Sequence, residues 1–198
     1  VPDARRVYTT FEQPDLKSTF TLTVKAPKGW KVFSNAPTPT PEEEGEAWVY
    51  RFATTEVMST YITAIVAGPY EGTTATLTSS DGRTIDLGVY ARASIVEHLD
   101  ADEIIEITRQ GFEFFEGAYG IAYPFTKYDQ IFVPEYNAGA MENAGCVTFR
   151  DAYVFRTRPT EAQMEARANT ILHELAHMWF GDLVTMKWWN DLWLNESF

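Results

Sequence analysis

Two histidines four residues apart constrain this chain more than any other feature. His173 and His177 lie in the string His-Glu-Leu-Ala-His, inside a stretch whose apolar residues recur at helical spacing. On a helix, side chains four residues apart project from nearly the same face and are about 6 Å apart along the axis. The two imidazoles can therefore reach one common point. Glu196, which follows after 18 intervening residues, can reach the same point from a second helix.

Two imidazoles and one carboxylate are a ligand set of catalytic zinc sites, which keep a fourth position for water. The sequence therefore predicts one Zn²⁺ per chain, held by His173, His177 and Glu196. Glu174 is adjacent to the first ligand without being part of the set, so we expect it to act as the general base. The short His-Glu-x-x-His string alone is equally compatible with hydrogen-bonded core histidines, and the third ligand favours the metal site.

The local sequence predicts the helices that this site needs. Thr160 and Gln163 form a capping-box pattern, so we expect the first helix to begin there. Its apolar stripe continues to Gly181, a residue type that often lies just beyond a helix end. Asn190 is the expected N-cap of a second helix, which carries Glu196.

The first part of the chain has the alternating pattern of half-buried strands. Such runs occupy residues 19–24, 48–52 and 61–67, and Asp81-Gly82 predicts a hairpin. We interpret residues 37–46, rich in proline and glutamate, as a solvated loop.

The pattern changes near Arg92, where we place a domain boundary between residues 1–92 and 93–198. A helix is expected from Asp100 to the glycines at 117–120, followed by strands at 128–133 and 141–149. These elements predict a sheet beside the helix that carries the two histidines.

Charge and composition exclude several functions. The chain carries 28 acidic and 16 basic residues, a net charge of −12, which argues against nucleic acids or anionic membranes as partners. It has no apolar run long enough to span a bilayer, and its single cysteine rules out an intrachain disulfide. We therefore expect a cytoplasmic protein. The chain begins at Val1 instead of methionine, so we expect that its natural amino terminus is not present.

A second motif indicates the kind of zinc enzyme. Residues 139–143 read Gly-Ala-Met-Glu-Asn, and residues 188–196 read Trp-Trp-Asn-Asp-Leu-Trp-Leu-Asn-Glu. Together with His-Glu-Leu-Ala-His and with Tyr123-Pro124-Phe125, these strings resemble the aminopeptidase N family of zinc exopeptidases. The segment Val32-Phe33-Ser34-Asn35 is most similar to bacterial members.

The resemblance implies that the chain is an excerpt of a longer enzyme. It implies an α+β fold, in which the end of an all-β domain precedes the first part of a thermolysin-like catalytic domain. It implies removal of N-terminal amino acids from peptides that have a free N-terminus, with Glu142 anchoring the α-amine and Glu174 as the base. The remaining substrate-binding residues that it implies are Gly139, Ala140, Met141 and Asn143, with Ala138 at the first side-chain pocket.

Two alternatives remain open from the sequence. In the first, the protein also opens a lipid epoxide, as some members of the family do. In the second, the chain is a non-catalytic binding module with a relict zinc helix. We expect the 198 residues alone to be inactive, because the family's oxyanion-binding tyrosine lies beyond the matched region.

Overall fold

The computed structural model of the chain describes residues 4–197 and has an α+β fold. Its strands are β1 (Thr23–Pro27), β2 (Lys31–Ser34), β3 (Glu42–Glu44), β4 (Ala47–Arg51), β5 (Ile65–Gly68), β6 (Tyr70–Thr78), β7 (Thr84–Arg92), β8 (Lys127–Val133), β9 (Ala140–Met141) and β10 (Cys146–Arg150). Its α-helices are α1 (Ala101–Tyr119), α2 (Glu161–Ala176) and α3 (Trp193–Glu196). None of the helices in this described part is long and apolar enough to cross a membrane.

Two small antiparallel sheets form the first part of the chain. One has the strand order β1-β4-β3, and the other pairs β2 with β5. The prediction of a continuous loop at 37–46 was wrong for Glu42–Glu44, which form β3 and return to β4 through Gly45 at φ +61°. The glutamate side chains remain exposed on this edge strand and pair with nearby Lys and Arg residues, so charge and strand pairing are compatible.

A five-stranded mixed sheet with the order β6-β7-β8-β10-β9 organises the rest of the fold. The predicted hairpin at Asp81-Gly82 is confirmed, because β6 pairs antiparallel with β7 and Gly82 has φ +86°. Strands β7, β8 and β10 run parallel to one another. The change from strand to helix lies near Arg92, as expected, but the sheet continues across that point because β7 pairs with β8.

The central strand β8 is buried along its whole length. Its residues alternate between two layers: Tyr128 and Phe132 belong to the core formed with α1 and α2. Ile131 and Val133 instead pack with Phe33 of β2 on the other face. The five-stranded sheet therefore lies between a helical layer and the β2–β5 pair, and both of its faces are packed at β8.

Helices α1 and α2 approach each other closely at Gly111. A Cβ atom there would lie 2.7 Å from Leu172 Cδ2 and 2.8 Å from Leu175 Cδ2, so a larger residue would require these leucine side chains to move. Helix α1 follows Asp100 and ends before Gly120 at φ +64°, as predicted. The Asp100 side chain does not cap the helix. It accepts a hydrogen bond from the buried Arg167 of α2 at 2.9 Å, which ties the two helices together.

The single strand predicted for residues 141–149 was wrong. The segment is two strands, β9 and β10, which pair antiparallel around a turn that includes Gly145 at φ +64°. The reversal uses the short polar and glycine residues at 143 and 145, which accommodate turn conformations. As a result, β9 lies at the edge of the sheet.

Candidate metal and substrate site

Helix α2 presents the two histidines. Thr160 Oγ1 accepts from the Gln163 amide at 3.3 Å, and the Gln163 side chain accepts from the Thr160 amide at 2.8 Å, so the predicted capping box is confirmed. The predicted extension to Gly181 was wrong, because α2 ends at Ala176 and tighter turns follow. His177, at the C-cap, keeps helical dihedral angles (φ −59°, ψ −24°), so the two histidines still project from one face.

The structure brings the three predicted ligands together. The Nε2 atoms of His173 and His177 are 3.0 Å apart, and Glu196 Oε2 lies 3.5 Å and 3.7 Å from them. Ligand atoms about 2.0–2.1 Å from a tetrahedral zinc ion are about 3.3–3.4 Å from one another. The donor set and its spacing therefore fit a zinc ion.

The ring of His177 is oriented for metal binding. Its Nδ1 lies 3.0 Å from the backbone carbonyl of Phe180. A carbonyl only accepts, so Nδ1 carries the hydrogen and the Nε2 lone pair faces the other ligands. Burial and the neighbouring His177 lower the pKa of His173, against the opposing charges of Glu196 and Glu142. The lowered pKa favours the neutral imidazole, which is the form that binds metals.

Glu196 reaches the site from a different local structure than the one predicted. A 3-10 turn, Trp189–Asp191, precedes α3, and neither Asn190 nor any other side chain caps that helix. The proposed Asn190 cap was therefore wrong. Helix α3 has only four residues, and Asn195, next to Glu196, donates a hydrogen bond to Tyr61 Oη at 2.9 Å. A tertiary contact thus supports the turn that carries Glu196.

Glu174 faces the ligand set and is almost fully buried. Its Oε2 has no hydrogen-bond partner among the described residues. Burial, reinforced by the negative charges of Glu142 and Glu196, raises the pKa of Glu174 to about 9. A divalent cation at the ligand set would oppose this shift, because a nearby positive charge favours the carboxylate.

Glu142 lies beside Glu174. One ligand atom from each of Glu142, Glu174 and His177 lies within 4.8 Å of the other two, and all three residues are buried. His177 also belongs to the His173–Glu196 group, so Glu142 and the predicted metal ligands form one site. The structure thus joins the two motifs that are separate in the sequence.

The remaining motif residues differ in their surroundings. Ala140 and Met141 form β9, Gly139 is half-buried, and Ala138 is exposed just before it. β9 is an edge strand in the part of the chain that is described, so one side of its backbone is open to an added strand. Asn143 is turned inward: its Nδ2 donates to Thr148 Oγ1 at 3.1 Å and to Cys146 O at 3.3 Å.

Sequence reasoning missed Asp182, a buried carboxylate on which the charges of Glu142 and Glu174 act. It is 1% exposed, and neither carboxylate oxygen has a hydrogen-bond partner among the described residues. Burial and the charge of Glu142 raise its pKa well above the usual range. In the sequence it is an ordinary polar residue after a glycine, and no local pattern distinguishes it from an exposed turn aspartate.

The chain matches two domain families that belong together. The Peptidase family M1 domain matches residues 103–198, and the Peptidase M1 N-terminal domain matches residues 1–62. Aminopeptidase N of Streptomyces lividans is 62% identical over the whole chain, which covers 22% of that protein. Tricorn protease-interacting factor F2 of Thermoplasma acidophilum is 41% identical over 98% of the chain and 24% of its own length.

Human aminopeptidase N is 39% identical over 99% of the chain and 20% of its own length. The chain therefore spans about a fifth to a quarter of these curated relatives. Both domain matches, the His-Glu-Leu-Ala-His helix and the converging acidic residues agree. The chain belongs to peptidase family M1.

Proposed function

We propose that the protein is a zinc-dependent aminopeptidase, which removes amino acids from the free N-terminus of peptides. The observation that carries this proposal is the distance between its acidic groups. Carboxylate oxygens of Glu142 and Glu174 and a nitrogen of His177 lie within 4.8 Å of one another. The similarity to proteins named aminopeptidase N gives independent support.

This spacing favours cleavage of the first peptide bond. In a peptide, the N-terminal nitrogen and the carbonyl carbon of the same residue are about 2.5 Å apart. An α-ammonium group bound to Glu142 therefore places the first carbonyl in the space next to Glu174 and His177. The second carbonyl is about 3.3–3.6 Å farther along an extended chain, outside that space. Glu142 thus selects both the free amine and the bond to be cut.

The residues of the chain have separate roles in this reaction. His173, His177 and Glu196 would hold the zinc ion, which when bound supplies Lewis acidity for the carbonyl and for water. Glu174 accepts the proton of the attacking water on a carboxylate oxygen and returns it to the departing amine nitrogen. One carboxylate therefore serves both proton transfers.

The substrate backbone has a place beside β9. An extended peptide can pair with the open edge of Ala140–Met141, and Gly139, half-buried and without a side chain, leaves room for the approach. Ala138 is exposed next to this edge, where the first side chain of the substrate would lie. We further propose that residues 93–198 form the first part of a thermolysin-like catalytic domain.

A comparison of two substrates tests the proposal. The intact protein, loaded with zinc, is assayed on leucine p-nitroanilide and on its N-acetylated form. We expect cleavage of the free amine only, loss of activity after chelation, and recovery with added zinc. Comparable cleavage of both substrates would refute the role of the amine.

Glu142→Gln provides the matched variant. It keeps the size of the side chain but removes the charge that pairs with the amine. A hydrogen bond to a charged group contributes about 1.5–3 kcal/mol, which corresponds to a loss of roughly 10- to 150-fold in kcat/KM. Unchanged zinc content in this variant separates amine binding from metal binding.

A further inference from the structure

Hydrogen bonds connect a short segment of the first part of the chain to both halves of the proposed site. This segment, residues 60–64, comprises a 3-10 turn (Thr60–Ile62) and the two residues that lead into β5. We call it the brace. Asn35 connects it to residues 142–145, which we call the Glu142 turn. Tyr61 connects it to the helix that carries Glu196.

Asn35 joins the brace to the Glu142 turn. Its Nδ2 donates to Ile62 O at 2.8 Å and to Ala144 O at 2.9 Å, and its Oδ1 accepts from the Ala64 amide at 2.9 Å. The side chain is buried, so all its donors and its acceptor are matched inside the protein. Ala144 is two residues after Glu142. Asn35 therefore sets the distance between the Glu142 turn and the brace.

Tyr61 joins the brace to the metal side. Its hydroxyl accepts the hydrogen bond of Asn195 Nδ2 at 2.9 Å, and its ring packs edge-on against Trp189 with centroids 5.4 Å apart. Asn195 is 2% exposed and directly precedes Glu196. The brace therefore supports the helix that carries Glu196 as well as, through Asn35, the turn next to Glu142.

Neither half of the site is rigid by its own local structure. β9 is a two-residue edge strand, and α3 is a single turn of helix. Isolated helical turns are unstable, because nucleation costs more than one turn recovers. A catalytic constellation must nevertheless be held to within about 0.5 Å, since a misplacement of about 1 Å can cost about 100-fold in rate. Tertiary contacts must therefore supply the rigidity.

We propose that the brace sets the distance between the amine anchor Glu142 and the metal ligand Glu196. Asn35 is the positioning residue on the Glu142 side, and Tyr61 is the positioning residue on the Glu196 side. This inference rests on the proposed function. It makes the first part of the chain a component of the active site although none of its described residues is a predicted ligand or base. Removal of the hydrogen bonds of Asn35 should therefore change substrate binding, and removal of the Tyr61 hydroxyl should change metal binding.

Two substitutions test the two ends in the intact, zinc-loaded protein. Asn35→Ala releases the Glu142 turn, so we expect KM for leucine p-nitroanilide to rise about tenfold with wild-type zinc retention. Tyr61→Phe deprives Asn195 of its acceptor, so we expect a chelating dye to remove zinc about tenfold faster, with KM little changed. Outer partners of metal ligands typically change metal affinity about 10- to 100-fold.

Matched controls remove comparable hydrogen bonds elsewhere. Thr38→Ala loses a bond to Val32 O at 2.9 Å, close to Asn35 in the chain but away from the brace. Tyr50→Phe loses a bond to Trp30 O at 2.6 Å. Neither control should change KM or the zinc release rate. If Asn35→Ala does not fold, Asn35→Ser, which keeps one shorter donor, replaces it with the same readouts.

The separation of the two effects decides the proposal. It is overturned if Asn35 and Tyr61 variants change KM and zinc release together in the same proportion, or if neither variant differs from its control. Failure of the proposed function would be distinct, because the unsubstituted protein would then retain no zinc or would cleave the N-acetylated substrate equally well.

Discussion

Replacing Lys127 with methionine should destabilise the protein far more than the same change at an exposed ion pair. Lys127 Nζ donates to Asp129 Oδ2 and to Gly145 O, both at 2.7 Å, beneath the turn that follows Glu142. The two charged side chains are 4% and 11% exposed. Lys127→Met keeps the length of the side chain but leaves the Asp129 carboxylate buried without its cation.

The size of the effect follows from this burial. Removing one partner of a buried ion pair costs about 3–5 kcal/mol, because the remaining charge has no compensation. Gly145 O keeps a second donor, the Asp129 amide at 3.0 Å, so the loss arises mainly from the carboxylate. The double variant Lys127→Met/Asp129→Asn removes both charges of this buried pair and should recover most of the lost stability.

Urea unfolding of the intact protein, followed by tryptophan fluorescence, measures the change. With a slope of about 2–3 kcal/mol per M, the midpoint should fall by about 1–2.5 M. Lys25→Met is the matched control, since Lys25 and Glu44 are 2.8 Å apart but more than half exposed, and it should leave the midpoint unchanged. Equal midpoint shifts for Lys127→Met and Lys25→Met would refute the reasoning.

Four further outcomes are expected. His177→Ala should lose stoichiometric zinc in a folded protein, and unchanged zinc by metal analysis would contradict its role as a ligand. Glu174→Gln should keep zinc but lower kcat about 100- to 10,000-fold, because only the base is lost; retained turnover would exclude that role. Ala138→Met should lower kcat/KM more for substrates with large first residues than for those with alanine, whereas equal losses would count against a pocket there. Burial raises the pKa of Cys146 to about 12, so a thiol reagent at pH 8 should label it only after unfolding, and stability should fall as the pH rises from about 9 to 12.

Local features of the sequence predicted local features of the fold. The capping box at Thr160, the spacing of His173 and His177, and the Asp81-Gly82 hairpin all depend on residues within four positions of one another. Their geometry follows from helical and turn stereochemistry, which a short stretch of sequence determines. The chemistry of the ligand set was likewise visible in the residue types.

Errors arose where distant contacts decided the structure. The pattern at 141–149 is compatible with one strand or two, and only pairing with β8 and the sheet edge resolves it. Asn190 has the residue type of an N-cap, but the packing of Trp189 against Tyr61 helps to hold the chain there. Local preference is weak compared with such packing, so it was overridden.

The sequence alone identified the family and predicted the ligands and the base, because the residue types and spacing of a motif indicate its chemistry. Only the tertiary structure decided that Glu142 and Glu174 share one space, and that Asn35 and Asn195 make contacts with residues 109 and 134 positions away. Such contacts depend on how sheets and helices pack together, and no local periodicity encodes them.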